Sequence, residues 1–202
     1  RPVFDADGEP VKEKVEVTIR AFKVVKTFDL SQTDGKELPT IGPSELVGNI
    51  EGYPKLLQAL QEISPVPVSF ELIDGDAKGF YHLEDKKIVV QDGMSEVQTI
   101  KTLLHEMAHQ KLHDKDNVPE AKDISRNGKE VEAESVAYVV CQHYGINTSD
   151  YSFSYVAGWS EGKETPEMKA SLDKNRQTAS EFNYQIDQKM EEQMAEKDQV
   201  QK

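Results

Sequence analysis

The chain holds a single cysteine, Cys141, among its 202 residues. No internal disulfide can form, so packing alone must hold the fold, and a reducing cytoplasm is the expected location. No apolar run approaches the roughly 20 residues of a membrane span. No secretory signal is visible either. Positive charge is scarce: 24 Lys and Arg stand against 37 Asp and Glu, for a formal net charge of −13. That balance argues against a nucleic-acid-binding surface on this chain, because phosphate binding needs clustered cations. Internal repeats and a phosphate-cradling glycine loop are also missing. The first residue is Arg1 rather than Met, which suggests a processed form or a fragment of something longer. Hydrophobic content is 37 %, enough for one domain with a moderate core.

What is present is His105-Glu106-Met107-Ala108-His109, the H-E-x-x-H pattern. Two histidines four apart on a helix turn two imidazoles to one face, where they can grip one zinc ion. The glutamate beside the first can then take a proton from water activated there. The context predicts the required helix. Ser95 and Gln98 stand as a capping box, and Val97, Ile100, Leu104, Met107 and Ala108 follow at helical spacing. Asp114, Asp116, Asn117 and Pro119 then favour a loop. The expected helix runs over about 95–113.

Hydrolytic zinc usually takes three protein ligands and keeps one position open. A second helix is predicted over 129–144, opened after Asn127-Gly128 and closed by Gly145. Its apolar arc comprises Ala133, Val136, Ala137, Val139, Val140 and Tyr144. Glu132 lies at one edge of that arc, Glu130 at the far margin, and Glu134 nearly opposite, toward solvent. A carboxylate on a buried stripe needs a partner. His105, His109 and Glu132 are therefore the expected metal ligands for one Zn2+, with Glu106 as catalytic base and Glu134 as the fallback ligand. The tetrahedral intermediate needs a further donor; Tyr144, Tyr151, Tyr155 and His143 stay open as candidates. His113 lies about 12 Å along the helix from His105 and is not expected to share the ion. His143 reads as structural or supporting, His82 as a strand residue, and Cys141 as a packing residue.

The remaining chain suggests an α+β fold. Residues 1–21 read as an arm or linker. A strand is expected over 15–30, a short helix over 52–63, a strand over 68–73 and a hairpin over 79–90 turning near Glu84-Asp85. These form a small, mostly antiparallel sheet packed on the H-E-x-x-H helix and on further helices. Its edge strand could pair with an extended substrate backbone. An aromatic segment, 151–159, offers a wall for the cleft. Thr165-Pro166 opens a long final helix, and 191–202 reads as a polar tail.

Several segments resemble known proteins. Gly79-Phe80-Tyr81, Lys87-Ile88-Val89-Val90 and Thr102 to His109 look like the strand-then-helix core of the ImmA/IrrE-type zincin superfamily. Phe28 to Thr33, Leu112-His113, Glu130 to Tyr138 and Ala157-Gly158-Trp159 resemble the metallopeptidase half of ArdC-type antirestriction proteins. LtrC-like proteins and other polyvalent proteins of phages and conjugative elements share that half. The resemblance covers about residues 22–190. It implies a gluzincin-like fold, His105, His109 and Glu132 at the metal positions, Glu106 as base, and a protein or peptide substrate. Such proteins often carry an N-terminal single-stranded-DNA-binding domain, which nothing here matches beyond a remnant before residue 22. The expected function is a zinc-dependent metallopeptidase of a mobile genetic element. The alternative is a zincin-shaped antirestriction or interaction module that acts by binding, through acidic mimicry of DNA.

Overall fold

A computed structural model describes residues 46–149, 151–152 and 165–200, with side chains from 169 to 196 in the last segment. The expected arm over 1–21, the strand over 15–30, Tyr155 and Trp159 lie outside the described residues. By its internal contacts the chain divides into two units, 1–39 and 40–202; the description concerns the second.

The architecture is α+β. Helix α1 spans Tyr53–Ile63, followed by strands β1 (Val68–Glu71), β2 (Gly79–His82) and β3 (Lys87–Gln91). Helix α2 is Glu96–His113, a short 3-10 turn covers Pro119–Lys122, α3 is Arg126–His143 and α4 is Thr165–Val200. The polar segment beyond Met190 continues as helix to Val200. Among the described residues no helix is long and apolar enough to cross a membrane.

The sheet has order β1-β3-β2. The hairpin pairs β2 with β3 antiparallel, Gly79 opposite Val90 and Tyr81 opposite Ile88. Strand β1, however, pairs with β3 in parallel, Val68 opposite Ile88. The sheet is thus mixed, not mostly antiparallel as the sequence suggested. Local turn chemistry fixes a hairpin, but nothing local says on which side an earlier strand will dock. Central β3 is the apolar run Ile88-Val89-Val90, at most 1 % exposed, as expected for a strand covered on both faces.

Helix α2 starts as predicted: the Ser95 hydroxyl accepts from Gln98 N–H at 3.2 Å. Gln98 does not close the box. Its side chain instead accepts from Leu46 N–H and donates to the Thr102 hydroxyl, sewing segment 46–50 onto the helix. At the far end Asp114 ties the hairpin down. Its carboxylate accepts from Lys86 Nζ at 2.9 Å, from the Tyr81 hydroxyl at 2.9 Å and from Asn117 at 3.0 Å. Burial opposes its ionisation, yet these donors hold the Asp114 carboxyl below its ordinary pKa.

Helix α3 begins at Arg126, three residues before the expected start. Ser125 is the true N-cap, accepting from Gly128 N–H at 3.1 Å, so Asn127-Gly128 is the first turn rather than a loop. Its end follows the expectation. Gly145 takes φ +70, and Ile146 N–H bonds Cys141 C=O while Gly145 N–H bonds Gln142 C=O, the double bond of a Schellman motif. Helix α3 lies between α2 and α4 and is covered on those two sides. Glu134, expected to face solvent, is fully buried. Cys141 packs in the core, and burial, with the Glu134 charge, pushes its thiol up to about 12.

Candidate metal centre

His105 and His109 lie one turn apart on α2. Their Nε2 atoms approach to 3.1 Å. Glu130, in the first turn and a bit of α3, brings Oε2 to 3.4 Å from His105 Nε2 and 3.6 Å from His109 Nε2. These three groups could hold a metal ion. An ion bonded tetrahedrally at 2.0–2.1 Å would need ligand atoms about 3.3 Å apart, which is the spacing found. Glu132, the expected third ligand, is not in this cluster. It bridges the last turn of α2 and α4 instead, pairing with His113 Nε2 at 3.0 Å and accepting from Ser171 at 2.6 Å. The apolar arc misled because α3 is buried on two sides, so the arc does not mark the face toward α2. The pair Glu130 and Glu134 repeats on α3 the four-residue spacing of His105 and His109 on α2. That spacing was the available signal.

Each histidine is supported from behind. Glu134 Oε2 lies 3.0 Å from His105 Nδ1 and 2.7 Å from Lys101 Nζ, and Glu134 Oε1 accepts from the Ser152 hydroxyl at 2.7 Å. Burial resists the carboxylate's charge, but His105 and Lys101 bring its pKa down to about 2. The shared proton therefore sits on His105 Nδ1. Behind His109 stands His113, the two Nδ1 atoms 3.0 Å apart. Burial lowers the His113 pKa despite Glu132, so His113 is neutral. Burial also opposes charge on Glu132, yet the bonds from His113 and Ser171 lower its pKa. The His113 proton thus lies on Nε2, toward Glu132, and its Nδ1 accepts from His109 Nδ1–H.

Both supporting chains commit the Nδ1 protons and turn two Nε2 lone pairs toward one point. Lone pairs 3.1 Å apart repel unless a cation lies between them. The demand for positive charge appears in His105 itself: burial disfavours its protonation, but Glu130 and Glu134 outweigh this and raise its pKa to about 9. Glu130 is lowered in turn by His105 and His109, against burial. A divalent ion answers the same demand as that proton.

Glu106, only 7 % exposed, makes no hydrogen bond among the described residues. Two cavities, of about 460 and 270 Å³, share Gly79, His105, Glu106 and Glu130 in their walls, so the cluster sits where the two lobes of a cleft meet. Strand β2 flanks both and is an edge strand among the described residues. Gly79 allows this close approach. A Cβ there would fall 2.7 Å from Thr102 Cγ2, 3.0 Å from Val89 O and 3.4 Å from Glu106 Cγ.

Of the expected oxyanion donors, Tyr144 and His143 both turn to Asp187 of α4, at 2.7 and 3.3 Å, and line neither lobe. Tyr151 lines the smaller lobe, its ring under Lys101 Nζ at 3.7 Å. His82 ends β2 and accepts from Asp85 N–H in the hairpin turn.

An uncharacterized protein of Bacillus anthracis, designated pXO2-81, is 32 % identical over 198 residues, covering 89 % of this chain and 33 % of its own length. The chain thus spans about a third of the curated relative it matches. No family model and no solved structure matches.

Proposed function

We propose that this chain is a zinc-dependent metallopeptidase domain of gluzincin type, carried by a mobile genetic element and acting on a protein target. The convergence of two Nε2 lone pairs and the Glu130 carboxylate, beside an otherwise unbonded Glu106, carries the reading. Two imidazoles and one carboxylate are a donor set typical of catalytic zinc, with a fourth position left open. The chemistry such an ion supplies when bound is Lewis acidity toward water and a carbonyl.

The residues of the chain do the rest. Glu106 accepts a proton from the attacking water on a carboxylate oxygen and returns it to the departing amine nitrogen. His105 and His109 keep their rings fixed because Glu134 and His113 hold their Nδ1 protons. Strand β2, an edge strand among the described residues, is placed to accept an extended peptide backbone, and Gly79 brings that strand against Glu106. The mobile-element assignment, and a DNA-binding domain in a longer parent protein, rest on the resemblance to the ArdC and LtrC type.

The second reading, a module that acts by binding, is favoured by the net charge of −13. One comparison separates the two. Wild type and Glu106→Gln should each take up about one equivalent of zinc, while peptide cleavage falls by about 10²–10⁴-fold in the variant. Equal biological activity in both would favour binding, and a wild type that takes up no zinc would end the peptidase reading.

A further inference from the structure

The larger lobe of the cleft has an unexpected charge. The chain carries 37 acids against 24 bases, yet Lys115, Arg126 and Lys129 all line this lobe, next to Phe80 and Leu83. Among the described residues none of the three cations forms an ion pair. Apart from Glu106, which lines the same lobe, several nearby acids are already engaged. Asp114 and Asp116 bind Lys86, Glu132 meets His113, and Glu130 faces His105 and His109.

Their placement on α3 adds a second argument. The first turn of a helix favours acids, since its free N–H groups carry partial positive charge. Here the first turn holds no acid, while Arg126 opens the helix and Lys129 follows one turn on. Arg126 at the start of the helix is disfavoured until an anion joins it. Phe80 and Leu83 are 37 % and 44 % exposed, so an apolar surface adjoins the charge.

We infer that this lobe is a substrate subsite for an acidic peptide segment, taking Asp or Glu side chains with apolar neighbours on one side of the bond to be cleaved. The inference rests on the peptidase reading for its cleavage step, though the binding site stands on its own residues. A peptide fits better than a nucleic acid, because the three cations are confined to one lobe, which suits a few carboxylates and not a continuous phosphate backbone.

The test uses the full chain with Glu106→Gln, loaded with zinc, and rhodamine-labelled peptide pools. Each pool alternates Glu, Gln or Lys with a mixture of Ala, Leu, Phe and Ser. By fluorescence anisotropy the Glu pool should bind about tenfold more tightly than the Gln pool. The gap should narrow as salt rises from about 0.05 to about 0.5 M. Joint replacement Lys115→Gln, Arg126→Gln and Lys129→Gln should abolish it, and Glu at all three positions should make the Lys pool preferred; circular dichroism checks that both variants fold. Equal affinity for the Glu and Gln pools, a preference that survives the Gln variant, no binding of any pool, or tighter binding of an oligothymidylate would each overturn the inference. If the preference holds but wild-type chain cleaves no pool, the peptidase reading fails and the acidic-peptide site remains. If wild type cleaves all pools without charge preference, the opposite holds.

Discussion

His105 and His109 receive the same service by different means. Behind His105 is a dry, charged cluster: Glu134 and Lys101 have side chains 0 % and 4 % exposed, and Ser152 completes the carboxylate's bonding. Behind His109 is a neutral imidazole, His113, with Glu132 and Ser171 beyond it. The first arrangement puts full charge next to the histidine and must offset its desolvation with several donors. The second keeps the formal charge one ring further away. The first also ties the site to Ser152, the second to Ser171 of α4. Ligand geometry therefore depends on segments well separated along the chain, and the two supports should fail differently.

The largest expected difference is in stability. Glu134→Ala leaves the Lys101 ammonium buried without its carboxylate and should cost about 3–5 kcal/mol in denaturant unfolding of the metal-free chain. Glu132→Ala removes a carboxylate whose partner is neutral and should cost clearly less. Equal losses would erase the distinction between a charged and a relayed support. Next, His113→Phe removes the acceptor for His109 Nδ1–H. Zinc affinity, measured by chelator competition, should drop about 10–100-fold; an unchanged affinity would mean His109 needs no backing. A third effect, of similar size, concerns neither support. Gly79→Ala should disturb the β2–α2 contact at about 1–3 kcal/mol, lowering turnover of a peptide substrate more than zinc affinity. A loss confined to zinc affinity would place the strain at the ligands instead.

Much of the frame was legible because its signals are local. The H-E-x-x-H helix follows from Ser95 and the spacing of Ile100, Leu104 and Met107, and the close of α3 follows from Gly145. The third member of the cluster was not legible by the route taken. Assigning Glu132 assumed that apolar residues on α3 mark the face toward the metal. On a helix covered by α2 on one side and α4 on the other, burial does not distinguish the two directions: Glu130 and Glu134 meet opposite nitrogens of His105, while Glu132 meets His113 and Ser171. The supporting role of His113 was hidden for a related reason: its distance from His105 along the helix rules out a shared ion, but not contact with the back of His109. The parallel docking of β1 depends on long-range packing that no turn residue records.

Cys141 has a practical consequence. Its thiol is sealed in the core, with a pKa raised to about 12, so it presents almost no thiolate to reagents at neutral pH. A cysteine introduced at an exposed position, such as Val139 on the same helix at 43 % exposure, would be the one to react with a maleimide dye. Spectroscopic reporters can thus be installed on the native background without first removing the resident sulfhydryl.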